Sequence, residues 1–257
     1  LHALVIGCIV QARMGSTRLP GKVMMKPDKK NPIVSYVINQ LNGSKLIDDI
    51  VIATTTLSED DILVDYVKRM HIPIYRGNPN DVLDRYYQCA KKFSFTTIVR
   101  ITSDNPLIDP KIVDLVIKKY LDGGFDYVTN CHPRTFPQGT ETEVFSFNIL
   151  EKVWKNAKKP SEREHVTPFI YNNPEKFKIF NVVYSKNISN LRWTVDRLDD
   201  FNLIKNIIIK IKKRPILMND ILELFEKNPG LKKINSNYIL DEGYLKSIKD
   251  ELIQNDR

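Results

Sequence analysis

Three shortages in the 257-residue sequence exclude whole classes of protein. Cys8, Cys89 and Cys131 lie far apart and form no Cys-x-x-Cys pair, so neither a disulfide framework nor a zinc site is expected. The apolar run at residues 1–10 is too short to span a bilayer and has no basic flank before it. The run at 201–213 carries several lysines and has the spacing of an amphipathic helix. We expect a reduced cytoplasmic chain with buried thiols and no membrane partner.

Positive charge is in excess but is not concentrated in one region. The net charge is +8, lysines occur along the whole chain, and no basic stripe interleaved with aromatic residues is present. A solvated lysine-rich surface explains this pattern better than nucleic acid or acidic lipid, so no nucleic-acid partner is expected. The length suits one large core, and the lack of a Gly/Pro-rich linker or a repeat predicts a single domain over residues 1–257.

Runs rich in β-branched and aromatic residues alternate with segments of helical periodicity. This alternation predicts an α/β fold with a mostly parallel sheet and helices on both faces. Ser58 and Asp109 are predicted helix starts, and Gly123 is a predicted helix stop. We predict strands at residues 3–10, 49–55, 72–76, 96–102 and 125–130, and helices at 31–44, 58–70, 78–93 and 109–124.

The second half of the chain departs from this alternation. Residues 131–190 contain two further predicted strands, within 141–147 and 177–183, and a helix at 160–174 between them. We interpret this region as a small insertion that caps the site or forms a dimer contact. From 199 to 257 the chain is predicted to be helical, with helices at 199–213, 216–230 and near 242–254.

Sheets of this kind bind ligands at the carboxyl ends of their strands. The site is therefore predicted just after Val10, Arg76, Thr102 and Val195.

The loop that leaves the first predicted strand has a high density of cations. In "GCIVQARMGSTRLPGKVM", Arg13, Arg18 and Lys22 stand among small residues that include Gly15 and Gly21. The pattern fits neither the G-x-G-x-x-G fingerprint nor the P-loop, because five residues separate the glycines and no Ser or Thr follows the lysine. The glycines would let the backbone approach an anion, and the cations would bind phosphate oxygens. A plain surface turn is the alternative.

Two aspartates follow predicted strands and are well placed to project into the predicted cleft. Asp104, in "RITSDNPLIDP", follows the fourth predicted strand, with an Asx turn or a helix cap as the alternative role. Asp109 is more simply the cap of the next helix. Asp196, in "LRWTVDRLDDF", is a second acidic residue at a predicted strand end, whereas Asp199 and Asp200 are placed to cap the helix that follows.

"IVQARMGSTRLPGKVM" closely resembles the opening of the SpsF group, within the cytidylyltransferases that make CMP-linked acidic sugars. That wider family includes the CMP-sialic acid and CMP-KDO synthetases. The resemblance implies a Rossmann-like nucleotidyltransferase fold, CTP as substrate and a homodimer. It covers roughly residues 3–205 and continues in "RGNPNDVLDRYYQCA", "VRITSDNPLIDPKIVD", "QGTETEVFSFNILEKVW", "SEREHVTPFIYNNPEKF" and "LRWTVDRLDDFNLI".

The resemblance also implies roles for individual residues. Asp104 and Asp196 would bind Mg²⁺, for which two carboxylates, water and phosphate oxygens suffice. Lys22 and Arg18 would stabilise the leaving pyrophosphate, and Arg13 would hold the β- or γ-phosphate. Further nucleotide contacts are expected from Ala12, Gly15, Ser16, Arg76, Gly77, Asp84 and Ser103.

The acceptor pocket is expected within 134–143 and 161–165 and at Arg192. Glu141 and Glu143 share one face of a predicted strand and suit an amino or hydroxyl group, with a salt bridge to Arg163 or Arg134 as the alternative. Arg163, His165 and Arg192 would hold an acceptor carboxylate or phosphate. His165 either assists deprotonation or is a structural histidine.

One further assignment stays open in the same way. For Asp84, an ion pair with Arg85 is the alternative to a contact with the base or ribose.

The leading hypothesis is a Mg²⁺-dependent cytidylyltransferase. It would transfer CMP from CTP to an acidic sugar or a phosphorylated small acceptor, releasing pyrophosphate, for surface polysaccharide or glycan biosynthesis. The alternative is a glycosyltransferase of GT-A-like fold, but that chemistry usually shows an Asp-x-Asp motif and needs no cationic loop, whereas "SDN" supplies one Asp. The third hypothesis is a non-catalytic nucleotide-binding protein. The presence of Asp104, Asp196 and Lys22, the residues expected to carry the reaction, is evidence against it.

Overall fold

The computed structural model describes residues 3–255, so residues 1–2 and 256–257 of the predicted domain lie outside the described part. Within residues 3–255, no helix has the length and apolarity needed to cross a bilayer. The strands are β1 (Ile6–Gln11), β2 (Asp49–Thr55), β3 (Ile74–Gly77), β4 (Thr97–Thr102), β5 (Tyr127–Thr129), β6 (Glu143–Ser146) and β7 (Ile179–Asn181). The helices are α1 (Ile33–Leu41), α2 (Asp61–Arg69), α3 (Val82–Lys92), α4 (Pro110–Leu121), α5 (Phe147–Asn156), α6 (Pro160–His165), α7 (Pro168–Tyr171), α8 (Leu198–Lys210), α9 (Met218–Lys227) and α10 (Glu242–Asn255).

These strands form one sheet in the order β3-β2-β1-β4-β6-β5-β7. Strand β1 pairs in parallel with β2 and β4, β2 with β3, and β5 with β7, whereas β6 runs antiparallel to β4 and β5. The predicted mostly parallel α/β sheet is therefore confirmed. Because β1 and β4 are neighbours, the loops that follow them leave the same edge of the sheet side by side.

Alternation of side chains along β1 places apolar groups in two cores, one on each face of the sheet. Cys8 and Val10 join the core formed with α1, α2, α4, α8 and α9, and Ile9 joins the core formed with α3, α5 and α7. These three residues are fully buried. Helices on both faces were predicted, and so were buried, unpaired thiols at the three cysteines.

Helix ends are fixed by the signals that the sequence carries, with one exception. The Asp109 side chain accepts a hydrogen bond from the Lys111 amide at 2.8 Å and caps α4, whose first residue is a proline, as predicted. Gly123, at φ 90°, follows the end of α4 in the left-handed conformation that favours glycine. The predicted helix does begin at Ser58, as a 3-10 turn over Ser58–Asp60 that continues as α2 from Asp61, but no side-chain hydrogen bond caps this start.

Two predicted elements in the second half of the chain differ from the structure. The helix predicted at 160–174 is divided into α6 and α7 at Val166, which has φ 73°. The strand predicted to end at Val195 is an extended segment outside the sheet, joined to loop residues by an isolated bridge between Gln138 and Arg192 and by the hydrogen bond from the Val195 amide to the Asp104 carbonyl. Strands β6 and β7 of the region 131–190 lie in the main sheet.

We expect Gly139→Ala to destabilise the fold strongly. Gly139 has φ 110°, and a Cβ there would lie 2.7 Å from the Trp193 ring and 2.9 Å from the Thr194 backbone nitrogen. The strained backbone alone costs about 1–3 kcal/mol, and the steric clash adds to it. Gly123→Ala is the matched control, because its φ of 90° is similarly strained but its Cβ meets no described atom within 4 Å. Chemical denaturation measures both, and equal losses of unfolding free energy would contradict the clash.

Candidate active site

A cleft of about 650 Å³ opens where the loops after β1 and β4 meet the segment before α8. It is lined by backbone and side chains from widely separated parts of the chain. Of the residues predicted for a site, those that line it are Ala12, Arg13, Ser16, Arg18, Lys22, Ser103, Asp104, His165 and Asp196.

The cationic loop after β1 is held in shape by its own backbone and by one buried carboxylate. The Met14 amide donates to Asp60 Oδ1 at 2.7 Å, and the Gly21 amide donates to the Met14 carbonyl at 2.9 Å. Gly21 has φ 70°, a left-handed conformation that a glycine adopts at low cost. This folding back places Arg18 and Lys22 at the cleft.

Asp104 and Asp196, far apart in sequence, are brought together by main-chain hydrogen bonds. The Ser103 amide donates to the Gln11 carbonyl at 3.1 Å, which fixes the loop after β4 beside β1. The Val195 amide donates to the Asp104 carbonyl at 2.7 Å. Asp196 is therefore positioned by pairing with the loop that carries Asp104 and not by the end of a strand.

The Lys22 ammonium lies between the two carboxylates. Its Nζ donates to Asp104 Oδ2 at 3.1 Å, to Asp196 Oδ1 at 2.8 Å and to the Val195 carbonyl at 2.7 Å. Burial lowers the pKa of Lys22, but the two carboxylates outweigh burial and hold its pKa above the usual value. The ammonium is thus charged and occupies the point at which three oxygen atoms converge.

Asp196 lies within salt-bridge distance of three cations. Besides Lys22, it pairs with Arg18 at 2.6 Å and with Arg192 at 3.1 Å. Burial raises the pKa of Asp196, but Lys22 and then Arg18 outweigh burial, so its pKa lies well below the usual value. Behind it, Asp200 accepts two hydrogen bonds from Arg192 at 2.8 Å each.

Several residues predicted to contact the nucleotide lie outside the cleft lining. Gly15 faces another carboxylate, since a Cβ there would lie 2.6 Å from Glu59 Oε1. Arg76 is turned away from the cleft and pairs with Asp61 at 2.6 Å. Its β3 neighbour, Gly77, packs against Tyr75 and Arg85, and Asp84 accepts hydrogen bonds from Trp154 and Gln88.

The Asp84–Arg85 pair considered from the sequence does not form. Arg85 instead donates to the Asn78 and Pro79 carbonyls, at 2.9 and 3.3 Å, and so supports the loop after β3. Its side chain is buried and lines the cleft.

The two glutamates predicted for the acceptor each bind an arginine of their own chain. Glu141 pairs with Arg134, the alternative that the sequence left open. Glu143 pairs with Arg100 and accepts further hydrogen bonds from Tyr127 and Thr167.

Glu143 is buried, and one of its oxygens lies within 4.8 Å of ligand atoms of Cys131 and His132. The carboxylate oxygens of Glu143 already accept hydrogen bonds from Arg100, Tyr127 and Thr167. Burial raises the pKa of Glu143, but Arg100 and the hydroxyl donors outweigh burial, so its pKa lies below the usual value.

Of the two arginines predicted for the acceptor, neither lines the cleft. Arg192 is held by Asp196 and Asp200 beneath it. Arg163 pairs with Asp81 at 2.5 Å and lines a second cavity of about 440 Å³, which shares Arg13 with the cleft. No sequence pattern at Asp81, Asp196 or Asp200 indicates that these aspartates pair with the two arginines.

Cleft residues that the sequence did not indicate come mainly from two places. Arg197 follows Asp196 directly, and its charge next to a predicted ligand was the available signal. Others lie on α10, with Glu242, Lys246 and Ser247 among them, and no motif marks these. Val82 and Arg85 of α3 and Glu164 of α6 also line the cleft. Ser247 Oγ lies 2.9 Å from His165 Nε2 and donates to Glu164 at 2.9 Å.

Comparison with known proteins identifies a family and several relatives of this chain. Residues 7–233 match the family model described as cytidylyltransferase. Uncharacterized protein MJ1063 of Methanocaldococcus jannaschii is 40% identical to this chain, over 91% of this chain and 95% of its own length. The spore coat polysaccharide biosynthesis protein SpsF of Bacillus subtilis is 31% identical over 86% of this chain and 94% of its own.

A further relative and a solved structure add to these matches. A 3-deoxy-manno-octulosonate cytidylyltransferase of Pelobacter propionicus is 31% identical over 46% of this chain and 45% of its own. Among solved structures, a cytidylyltransferase from Leptospira borgpetersenii superposes with a TM-score of 0.87 at 34% identity, covering 93% of this chain and 99% of that one.

We expect Asp200→Asn to destabilise the protein in a pH-dependent way. Burial raises the pKa of Asp200, but the Arg192 contacts outweigh burial and hold its pKa below the usual 3.8. A lowered carboxyl pKa stabilises the fold above the unfolded-state value, and this contribution is lost as the pH falls through the folded-state pKa. Breaking such a buried pair costs about 3–5 kcal/mol at neutral pH.

The measurement is the free energy of unfolding between pH 7 and pH 3. The difference between wild type and Asp200→Asn should narrow below about pH 4, where the carboxyl group of the unfolded wild type begins to take up a proton while the folded one, with its lowered pKa, stays ionised. Asp199→Asn is the control on the same helix, because that exposed side chain contacts only the Tyr238 hydroxyl. A difference that stayed constant with pH would show that the charge of Asp200 is not what stabilises this region.

Proposed function

The chain belongs to the cytidylyltransferase family, and we propose that it transfers CMP from CTP to an acidic sugar or phosphorylated small acceptor. Family membership makes it a nucleotidyltransferase. The names of its relatives, SpsF and 3-deoxy-manno-octulosonate cytidylyltransferase, refer to polysaccharide synthesis and to a sugar acid. The observation that carries the proposal is the convergence of Arg13, Arg18 and Lys22 with two carboxylates in one cleft. Surface polysaccharide or glycan biosynthesis is the role that we propose for the product.

The cations of the loop after β1 would bind the triphosphate. In the proposed reaction an acceptor oxygen attacks the α-phosphorus in line, the bond from that phosphorus to the bridging oxygen breaks, and pyrophosphate leaves with the bonding electrons. Negative charge then grows on the leaving oxygens, and fixed cations stabilise it most effectively there. Arg13 makes no ion pair with the side chains described, so it is free to bind phosphate.

The chemistry of the donor set fits Mg²⁺, which prefers carboxylate and carbonyl oxygens. Asp104 and Asp196, supported by the Val195 carbonyl, are the residues that would hold the ion. When bound, Mg²⁺ would neutralise phosphate charge and orient the α-phosphate. Lys22 lies between the two carboxylates, so its ammonium must move towards the phosphates before both aspartates are available.

The second cavity suits the nucleoside. It adjoins the cleft at Arg13 and Val82 and is bordered by Pro79, Asn80 and Asp81. Main-chain groups of this loop, which Arg85 supports through the Asn78 and Pro79 carbonyls, would read the edge of the base. Base selection would then depend on loop position, not on the side chains of β3.

The wall of the cleft formed by α6 and α10 suits the acceptor. Burial lowers the pKa of His165, so its imidazole is uncharged at neutral pH and able to accept a proton from an attacking hydroxyl. Ser247 and Glu164 hold the ring through the Ser247 hydroxyl.

The proposal is tested by pyrophosphate release with each nucleoside triphosphate, Mg²⁺ and a panel of acidic sugars and phosphorylated acceptors. We expect release with CTP, and a fall of about 10²–10³-fold in kcat for Lys22→Ala and for Asp104→Asn, because each removes a preorganised charge. Lys26→Ala is the control, since this lysine is exposed and lies outside the cleft. Sugar transfer from a nucleotide sugar without pyrophosphate release would instead support a glycosyltransferase.

We also expect Lys22→Ala to bind Mn²⁺ more tightly than the wild type when no nucleotide is present. The wild-type ammonium competes for Asp104 and Asp196, and its removal leaves both carboxylates to the ion. Electron paramagnetic resonance of free Mn²⁺ measures the affinity, and Asp104→Asn should weaken it. Unchanged or weaker Mn²⁺ binding by Lys22→Ala would contradict a metal site between these two aspartates.

A further inference from the structure

The last helix, α10, forms one wall of the cleft. Glu242, Gly243, Lys246, Ser247 and Asp250 line the cavity beside the loop after β1. The helix lies beyond residues 7–233, which the family model matches. A wall of the cleft is therefore built by a part of the chain that family membership does not describe.

Polar contacts and the edge-on packing of one aromatic ring, and not a buried apolar face, attach α10 to the rest of the protein. The Tyr244 ring centroid lies 5.3 Å from that of His165 and 6.2 Å from that of Tyr171. Ser247 bonds His165 and Glu164, Tyr244 accepts from Asn172, and Glu251 accepts from the Ser161 amide at 2.5 Å.

No side chain described on α10 is buried, and the apolar residues Leu245, Leu252 and Ile253 are exposed. These polar contacts are exposed or half-buried and each contributes little, so α10 is attached less stably than the helices that contribute buried apolar side chains to the two cores.

The first turn of α10 places a carboxylate on the cations of the cleft. Glu242 Oε1 accepts from Arg197 Nη2 at 2.5 Å, and its Oε2 lies 3.7 Å from Arg18 Nη1. The backbone of the next residue is also close, because a Cβ at Gly243 would lie 3.5 Å from Arg18 Nη1. Arg18 thus faces Asp196 on one side and Glu242 on the other.

We propose that Glu242 is a built-in competitor of the substrate, whose carboxylate occupies Arg18 and Arg197 until a polyphosphate displaces it. This inference rests on the proposed function, which makes Arg18 a phosphate ligand. Displacement releases the first turn of α10, and the weakly attached helix then acts as a lid that lifts at this end. The carboxylate keeps the cleft closed to weakly charged anions and yields to a triphosphate.

The arrangement of charges accounts for the direction of this exchange. Glu242 presents one negative charge to two guanidinium groups that are each about one-third exposed, a setting in which water screens the attraction. A triphosphate presents several charges to the same groups and to Arg13, which lines the same cleft. The polyphosphate therefore gains more from these cations than the glutamate does.

The test is the affinity of wild type, Glu242→Gln and Asp250→Asn for CTP and for inorganic tripolyphosphate, by titration calorimetry without divalent cations. We expect Glu242→Gln to bind both probes roughly threefold to thirtyfold more tightly, the range that follows from losing two exposed ion pairs. Asp250→Asn is the matched control, because it removes the same charge from the same helix and cleft wall, and Asp250 has no side-chain partner among the described residues. Thermal unfolding checks that each variant is folded.

The two probes separate this inference from the proposed function. Tighter tripolyphosphate binding by Glu242→Gln together with no CTP binding by any variant would support the competition and overturn the proposed function. Unchanged or weaker binding of both probes by Glu242→Gln would overturn the competition while leaving CTP use intact. Equal tightening by Asp250→Asn would attribute the effect to overall charge, and would likewise overturn a specific contact of Glu242.

Discussion

The candidate site depends on a single ammonium group held between two carboxylates. Lys22 joins the loop after β1 to Asp104 on the loop after β4 and to Asp196 near the start of α8. Without a counter-charge, two carboxylates so close together would repel each other, and one of them would take up a proton. The buried lysine removes that repulsion and fixes three separate segments of chain around one cleft. The same groups are the ones that the proposed reaction uses.

Much of the architecture was predictable from the sequence, because it depends on local patterns. Runs of β-branched residues identified the strands, and β6 was placed correctly although it runs antiparallel. Asp109 and Gly123 marked both ends of α4 through chemistry that acts within one turn of helix. The extended segment before Asp196 was mistaken for a strand, since its main-chain partners are the loop residues Asp104 and Gln138 and not a sheet edge.

The candidate site was predictable only in part, for a physical reason. Arg13 and Asp104 lie two residues beyond β1 and β4, so position along the chain is enough to place them at the cleft. Arg18 and Lys22 lie farther along the loop after β1, where the density of cations among small residues was the signal. Whether a charged side chain farther along faces substrate or another residue depends on partners that are distant in sequence. In the structure Glu143 pairs with Arg100, Arg163 with Asp81, and Arg192 with Asp200. Helix α10 was predicted, but its place at the cleft was not, because contacts such as that between Ser247 and His165 join residues distant in sequence.

Neutralisation of the cleft by the protein's own carboxylates also bears on selectivity. An exposed cluster of cations would bind phosphate, sulfate and other small anions, whereas here Lys22 and Arg18 already pair with Asp104, Asp196 and Glu242. A ligand must replace those internal partners, so its affinity is the difference between its own contacts and the ones that it breaks. An anion with one or two charges gains little from that exchange. In the proposed reaction a divalent cation would compensate the two aspartates while the phosphates bind the lysine and arginines, so Glu242, which is partly exposed to water, would be the carboxylate left without its cations.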